Sequence, residues 1–269
     1  MEMVEINHGD SPVILAFPHT GTHVPPDIWG RLNATGRELT DTDWHIHELY
    51  QGLLPGATSV RATFHRYCID ANRDPEGASL YPGQNTTGLI PLTDFDNRPL
   101  WLAGEEPDEA DTQRRLTRFH QPYHRVLAAE IRRVRALHGV AVLYDCHSIR
   151  SVCPFLFDGK LPDFNIGTDN TKTCNPLMEQ EVGAICAAAE GYTSVVNGRF
   201  RGGWTTRHYG QPASGVHAIQ MELAQSTHLK SESLPFDYDV DKAVALGKVV
   251  RLILERIEGL AFELARKAG

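Results

Sequence analysis

The sequence predicts an α/β fold built on a mostly parallel, doubly wound sheet flanked by helices. Three observations predict it. Apolar, β-rich runs at Val13-Ile-Leu-Ala-Phe-Pro-His19, Val140-Ala-Val-Leu-Tyr-Asp-Cys-His147 and Ala218-Ile-Gln-Met-Glu222 read as buried strands of a parallel sheet. Helix-like stretches lie between several such runs, the alternation expected of doubly wound folds. Each run also stops at an imidazole or a carboxylate, where open parallel sheets bind their ligands.

The elements follow in chain order. Residues 12–19 are the first strand. Residues 41–54 read as a helix, because Trp44, Ile46, Leu49, Leu53 and Leu54 follow polar Thr40 and Asp41, which can cap its start. Residues 57–63 and 66–71 are strand-like. Residues 74–100 are turn-rich, with Asp74-Pro-Glu-Gly, Tyr81-Pro-Gly-Gln-Asn-Thr-Thr-Gly and Asp94-Phe-Asp-Asn-Arg-Pro, and a loop of that length is functional or disordered. Residues 111–138 place Leu116, Phe119, Tyr123, Leu127, Ile131, Val134 and Leu137 on one helical face, and Pro122 should kink or split that helix. Strands at 139–146, 193–197 and 216–223 and helices at 176–189 and 239–267 complete the pattern. Residues 198–217, rich in glycine, arginine and aromatics, suit a loop facing a substrate.

Composition is that of a globular protein, 41% hydrophobic and 22% charged, and the length allows one large α/β domain or two small ones. A net charge of −8 argues against nucleic acid or an anionic membrane as partner, although local arginines can still attract an acidic small molecule. The cysteines, Cys68, Cys146, Cys153, Cys174 and Cys186, are odd in number and form no Cys-x-x-Cys. With no basic, apolar leader in Met1–Asn7 and no apolar run near the ~20 residues of a membrane span, the expectation is a reduced, soluble, cytoplasmic protein. Oligomeric state is not readable.

Two histidines and one carboxylate are the ligand set of a catalytic zinc with an open position. His19 is a candidate, against a hydrogen-bonded histidine in a turn. His23, four residues on, would share a helical face with it, but Gly21 and Pro25-Pro26 argue against a helix there. Asp43 competes with a solvated helix start, where acids complement the dipole, an alternative stronger for Asp41. Asp145 and His147 lie two apart on a strand and point together, so Asp145 can orient His147. Glu222, a carboxylate inside a buried strand, is either a structural ion pair or a desolvated general base able to take a proton from an activated water. Arg73, Arg150, Arg201 and Arg207 lie near strand ends or in the glycine-rich loop. Several together suggest an acidic substrate, since arginine is the preferred bidentate partner of carboxylates. Ser148 lacks a Gly-x-Ser-x-Gly elbow, and Gly-x-Gly-x-x-Gly is absent after the first strand, which disfavours a serine hydrolase and a dinucleotide fold.

At these residues the chain resembles the N-formylglutamate amidohydrolase family. The segments that carry the resemblance are Phe17–His23, Asp41–His45, Arg66–Arg73, Leu80–Gly88, Asp145–Arg150 and Gln220–Gln225. They span about residues 12–228, and their order and combination are specific. The resemblance implies residues 1–269 as a single catalytic domain with a mixed, mostly parallel sheet, similar to zinc-dependent exopeptidases of the carboxypeptidase type. It implies hydrolysis of N-formyl-L-glutamate to formate and L-glutamate, the last step of one route of histidine degradation. It also implies one divalent metal ion, zinc by ligand type, held by His19, Asp43 and His147, with Glu222 as general base. Asn72 and Arg73, with Arg207 and Arg150, would hold the substrate carboxylates. Alternatives are a zinc carboxypeptidase, another N-acyl amino acid amidohydrolase, and a non-catalytic binder of acidic amino acids.

Overall fold

The computed structural model describes residues 2–79 and 83–268. Leu80, Tyr81 and Pro82, which open the Leu80–Gly88 segment, lie outside the described residues.

Among the described residues the strands form one seven-stranded mixed sheet. The strands are β1 (Val4–Asn7), β2 (Val13–Phe17), β3 (Thr58–Ala62), β4 (Ala141–Ile149), β5 (Phe164–Gly167), β6 (Ser194–Val196) and β7 (Val216–Ala224), in the spatial order β1-β3-β2-β4-β7-β5-β6. The central four, β3, β2, β4 and β7, run parallel. β1 is antiparallel to β3, and β5 is antiparallel to β7, which makes the sheet mixed. The parallel centre follows from sequence. β2, β4 and β7 are buried along their whole length, as strands covered on both faces must be.

The helices are α1 (Pro26–Trp29), α2 (Ala34–Arg37), α3 (Ile46–Leu49), α4 (Glu109–Arg115), α5 (Gln121–His138), α6 (Pro176–Ala188), α7 (Trp204–Tyr209) and α8 (Val240–Ala268). Alternation along the strands sorts the core into two layers. Val142, Tyr144 and Cys146 of β4 pack with α3, α6 and α8. Ala141 and Leu143 face the other way, against Phe119, Tyr123, Leu127, Ile131 and Val134. Continuing on that second face, period two brings up Asp145 and His147 on β4 and Gln220 and Glu222 on β7. The apolar part of the face therefore anchors the sheet to α5, and its carboxyl end becomes polar.

Several expectations needed correction. The helix expected over 41–54 is helical only at Ile46–Leu49. Leu39 and His45 adopt left-handed backbone (φ 52° and 59°), and the Asp43 N–H donates to the His19 carbonyl at 3.1 Å instead of to a helical neighbour. Residues 66–71 are not a strand. Their groups bond locally, to a loop or to helix side chains, with Tyr67 N–H donating to His65 Nδ1, Asp70 N–H to Leu89 O and Arg115 Nη1 to Cys68 O, leaving no ladder. The long amphipathic stretch is not split: α4, a π-helical turn at Leu116–His120 and α5 follow without a gap. The wider spacing of that turn, in which Gln121 N–H reaches Leu116 O, lies just ahead of Pro122 and accommodates it inside a continuous helix. β1 and β5 were not anticipated. β1 is short and mostly exposed, and β5 has four residues, too few to show a period.

Candidate active site

His19, Asp43 and His147 converge. His19 follows β2 by two residues, Asp43 sits on the turn pinned to the His19 carbonyl, and His147 lies in β4; all three are at most 2% exposed. His19 Nδ1 and His147 Nδ1 are 3.2 Å apart, and Asp43 Oδ2 lies 3.2 Å from His147 Nδ1 and 3.7 Å from His19 Nδ1. Three such donors held tetrahedrally at the usual ~2.0–2.1 Å from a zinc ion would stand roughly 3.3 Å apart. The triangle has that size.

The atoms behind the triangle fix its polarity. His19 Nε2 donates to Asp70 Oδ1 at 2.6 Å, which puts the proton on Nε2 and leaves the Nδ1 lone pair facing the triangle. His147 Nε2 lies 3.0 Å from Asp145 Oδ1 and 3.2 Å from Asn72 Nδ2. Asp43 is oriented twice, by Arg66 Nη2 on Oδ1 (3.0 Å) and by the Ser148 N–H on Oδ2 (3.1 Å). Lone pairs this close, in a buried site, repel unless a proton or a metal ion lies between them. The donors fit a divalent metal ion.

Glu222 stands beside this cluster. It is the register partner of His147 on the adjacent strand and is 7% exposed. Burial pushes its carboxyl up to about 8, against the opposing pull of the His147 ring. Burial would also raise Asp43, but Arg66, His147 and His19 outweigh it and hold that carboxyl below the usual range. Asp70 is likewise held low, by Arg73 and His19 against burial. Neighbouring carboxylates thus have opposite tendencies, the pattern of a site that separates a charged ligand from a proton carrier.

The cluster opens into a cleft. Its lining includes His19, His147, Glu222, Asn72, Arg73, Arg66, Thr87, Phe95 and Arg199. Both expected loops contribute, Thr87 and Phe95 from 74–100 and Arg199 and Gly203 from 198–217. Arg73 is braced by Thr87, its Nε donating to the carbonyl and its Nη2 to Oγ1, both at 3.0 Å. Arg150 and Arg207 are not among the described residues lining the cleft. Arg150 pairs with Asp96 at 2.9 Å, and Arg207 lies 3.6 Å from Asp169. His23 forms an isolated bridge with Phe64, and His47 lines a different depression with Arg61.

Sequence reasoning assigned no role to Arg66, Asp70, Gln220 or Arg199. A signal existed for Asp70, which follows the apolar run Tyr67-Cys-Ile, and a carboxylate there needs a partner as Glu222 does. Nothing local marks Gln220 or Arg199.

Fold and cleft together define an α/β protein whose clustered polar side chains sit at the carboxyl ends of parallel strands. The family model of N-formylglutamate amidohydrolase matches residues 11–229. The chain belongs to this family and is an amidohydrolase. It is 46% identical over 257 residues to an N-formylglutamate deformylase of Pseudomonas aeruginosa, covering 95% of this chain and 96% of the relative. It is 42% identical to one of Pseudomonas putida, again over 95% and 96%. Among solved structures, an N-formylglutamate amidohydrolase from Ralstonia eutropha JMP134 superposes with a TM-score of 0.80 at 24% identity over 100% of both chains. A gene product of Agrobacterium tumefaciens gives 0.70 at 19% identity, covering 96% of this chain and 97% of that one. These two likenesses establish the fold.

Proposed function

We propose that this protein hydrolyses N-formyl-L-glutamate to formate and L-glutamate, closing one route of histidine degradation, with residues 1–269 acting as one catalytic domain. The relatives' names support the substrate. The observation that carries the chemistry is the donor triangle of His19, Asp43 and His147 beside a desolvated Glu222. The triangle would hold one divalent ion, zinc by its nitrogen and oxygen donors. When bound, such an ion supplies Lewis-acid polarisation and lowers the pKa of water.

The chain's own groups do the rest. Asp70 and Asp145 fix the two imidazoles, and Arg66 and the Ser148 N–H fix the Asp43 carboxylate. Glu222 takes the proton of the attacking water as its oxygen bonds to the formyl carbon. It returns that proton to the glutamate nitrogen as the C–N bond breaks. Arg66, lining the cleft next to Asp43, offers positive charge near the oxygen on which negative charge develops. Asn72 and Arg73 are the groups placed to receive a substrate carboxylate. Arg73 lies 3.6 Å from Asp70 but lines the cleft, whereas Arg150 and Arg207, beside Asp96 and Asp169, are not among its described lining residues.

The test is metal analysis of purified protein alongside formate release from N-formyl-L-glutamate. Stoichiometric divalent metal with formate release supports the reading. Binding of the substrate without formate release, in metal-loaded protein, would reduce the site to a binder of acidic amino acids.

A further inference from the structure

Gln220 precedes Glu222 by two residues on β7, so the two side chains share the face that meets the cleft. Gln220 is 3% exposed. Its amide is gripped from one end, because the Gly203 N–H donates to Gln220 Oε1 at 2.6 Å. A backbone N–H can only donate, so the oxygen of the amide must face Gly203 and the NH2 must face the other way. That NH2 lies 3.1 Å from Glu222 Oε2. Since the amide nitrogen can only donate, Oε2 is fixed as an acceptor whether or not Glu222 carries a proton. Oε1 has no hydrogen-bond partner among the described residues.

Gly203 itself is placed with little freedom. It caps the start of α7, and a Cβ built there would stand 2.3 Å from Asn72 Nδ2. Within the first turn of that helix, Thr205 N–H donates to Asn72 Oδ1 at 2.8 Å and the Thr206 hydroxyl to Asp145 Oδ2 at 3.1 Å. The donor that orients Gln220 therefore belongs to a segment tied to the cleft at three points.

We propose that Gln220 is a positioning residue for the general base: held by the Gly203 N–H, it locks Glu222 Oε2 as an acceptor and confines proton uptake and release to Oε1. The inference rests on Glu222 being the base. Gln220 lines the cleft, and both of its hydrogen-bonding ends are taken, by Gly203 and Glu222, so its role runs through Glu222.

A double-mutant cycle in metal-loaded protein tests it, with metal content and melting temperature measured for every variant. Gln220→Met keeps length and removes both hydrogen bonds. Gln220→Ala removes both hydrogen bonds with no demand on space, so it carries the test if the methionine variant does not fold. Each should lower kcat by ~10–100-fold, the worth of a hydrogen bond to a charged group, with KM changing less than about twofold. In a Glu222→Ala background the same substitutions should change the residual kcat by less than about twofold, because the group they act through is gone. Metal content should stay as in the parent throughout. Equal fold losses in both backgrounds, or no loss in either, overturn the role of Gln220. Near-normal turnover by Glu222→Ala overturns instead the assignment of the base, and the two failures are distinguishable in the same data set.

Discussion

His147 on β4 and Glu222 on β7 are register partners in adjacent parallel strands, so a proposed metal ligand and the proposed base are set side by side by the backbone ladder itself. Their spacing does not depend on a loop. One residue of slip would turn both side chains to the opposite, apolar face, among Cys146 and Met221. The register is secured by the buried strands on either side, and the site inherits the rigidity of the core.

The first prediction concerns the triangle. His147→Ala should lose metal and formate release together, measured by elemental analysis and turnover of the same preparation. Asp70→Asn keeps the shape but weakens the hold on His19 Nε2. It should lower metal affinity by about 10–100-fold, the usual effect of removing an outer carboxylate. Full metal occupancy in His147→Ala at limiting metal would take His147 out of the ligand set.

Glu222→Gln separates the base from the ligands. It preserves size and hydrogen bonding but accepts no proton. Bound metal should be unchanged while kcat drops by roughly 10²–10⁴. Turnover near that of the parent protein would make Glu222 structural.

Substrate charge is read by arginine. Arg73→Ala should reduce kcat/KM for N-formyl-L-glutamate at least tenfold, as expected when a charge-assisted bidentate hydrogen bond worth ~1.5–3 kcal/mol is lost. Arg207→Ala and Arg150→Ala should cost less, because Arg73 lines the cleft and these two are not among its described lining residues. Comparing N-formylglutamate with a formylated neutral amino acid tells which carboxylate each arginine reads. Equal losses on both substrates mean that the side-chain carboxylate is not the target.

Stability should fall on acidification. Burial lowers His124 to about 3 and His217 and His228 each to about 4. Burial keeps these rings neutral against the two bonds donated to carbonyls, while the bond that His217 accepts needs an unprotonated nitrogen. His228 Nε2 donates to Trp44 O at 3.0 Å, His124 Nε2 donates to Ala71 O at 2.7 Å, and His217 Nδ1 accepts the Asn175 N–H at 3.2 Å. An unfolded histidine titrates near ~6.5, so between that pH and about 4 the unfolded chain binds protons that the folded one refuses. This stabilisation is complete above ~6.5 and is lost as pH falls. Glu222, raised to about 8, and Asp41, raised to about 7, act in the opposite sense, since their folded forms take up protons first. Substitution isolates the histidine contribution. In chelator-treated protein, urea unfolding of His228→Asn should lose less stability between pH 7 and pH 5 than the parent chain. An identical loss in both proteins would show that His228 does not contribute.

The sequence by itself determined the buried central strands and marked the polar residues that end them. Val13–Phe17, Ala141–Tyr144 and Val216–Ile219 are apolar enough to be strands only if buried on both faces, and a histidine or carboxylate ending such a run has to be paired or put to use. Those are local properties, legible from burial cost and period two. Tertiary structure decided which polar groups meet. Asp43 comes from a turn whose left-handed residues His45 and Leu39 override a helical pattern, and no local rule predicts that its N–H will cap the His19 carbonyl. Asp70, Arg66 and Gln220 gain their roles from partners far along the chain, at His19, Asp43 and Gly203. The sequence favoured Arg73 over Arg207 and Arg150 only by its place in the chain. Packing sets Arg73 into the cleft beside Asp70 and places Arg150 and Arg207 beside Asp96 and Asp169, because the energy of a charge depends on which opposite charge is brought near it, and only the folded chain sets that distance.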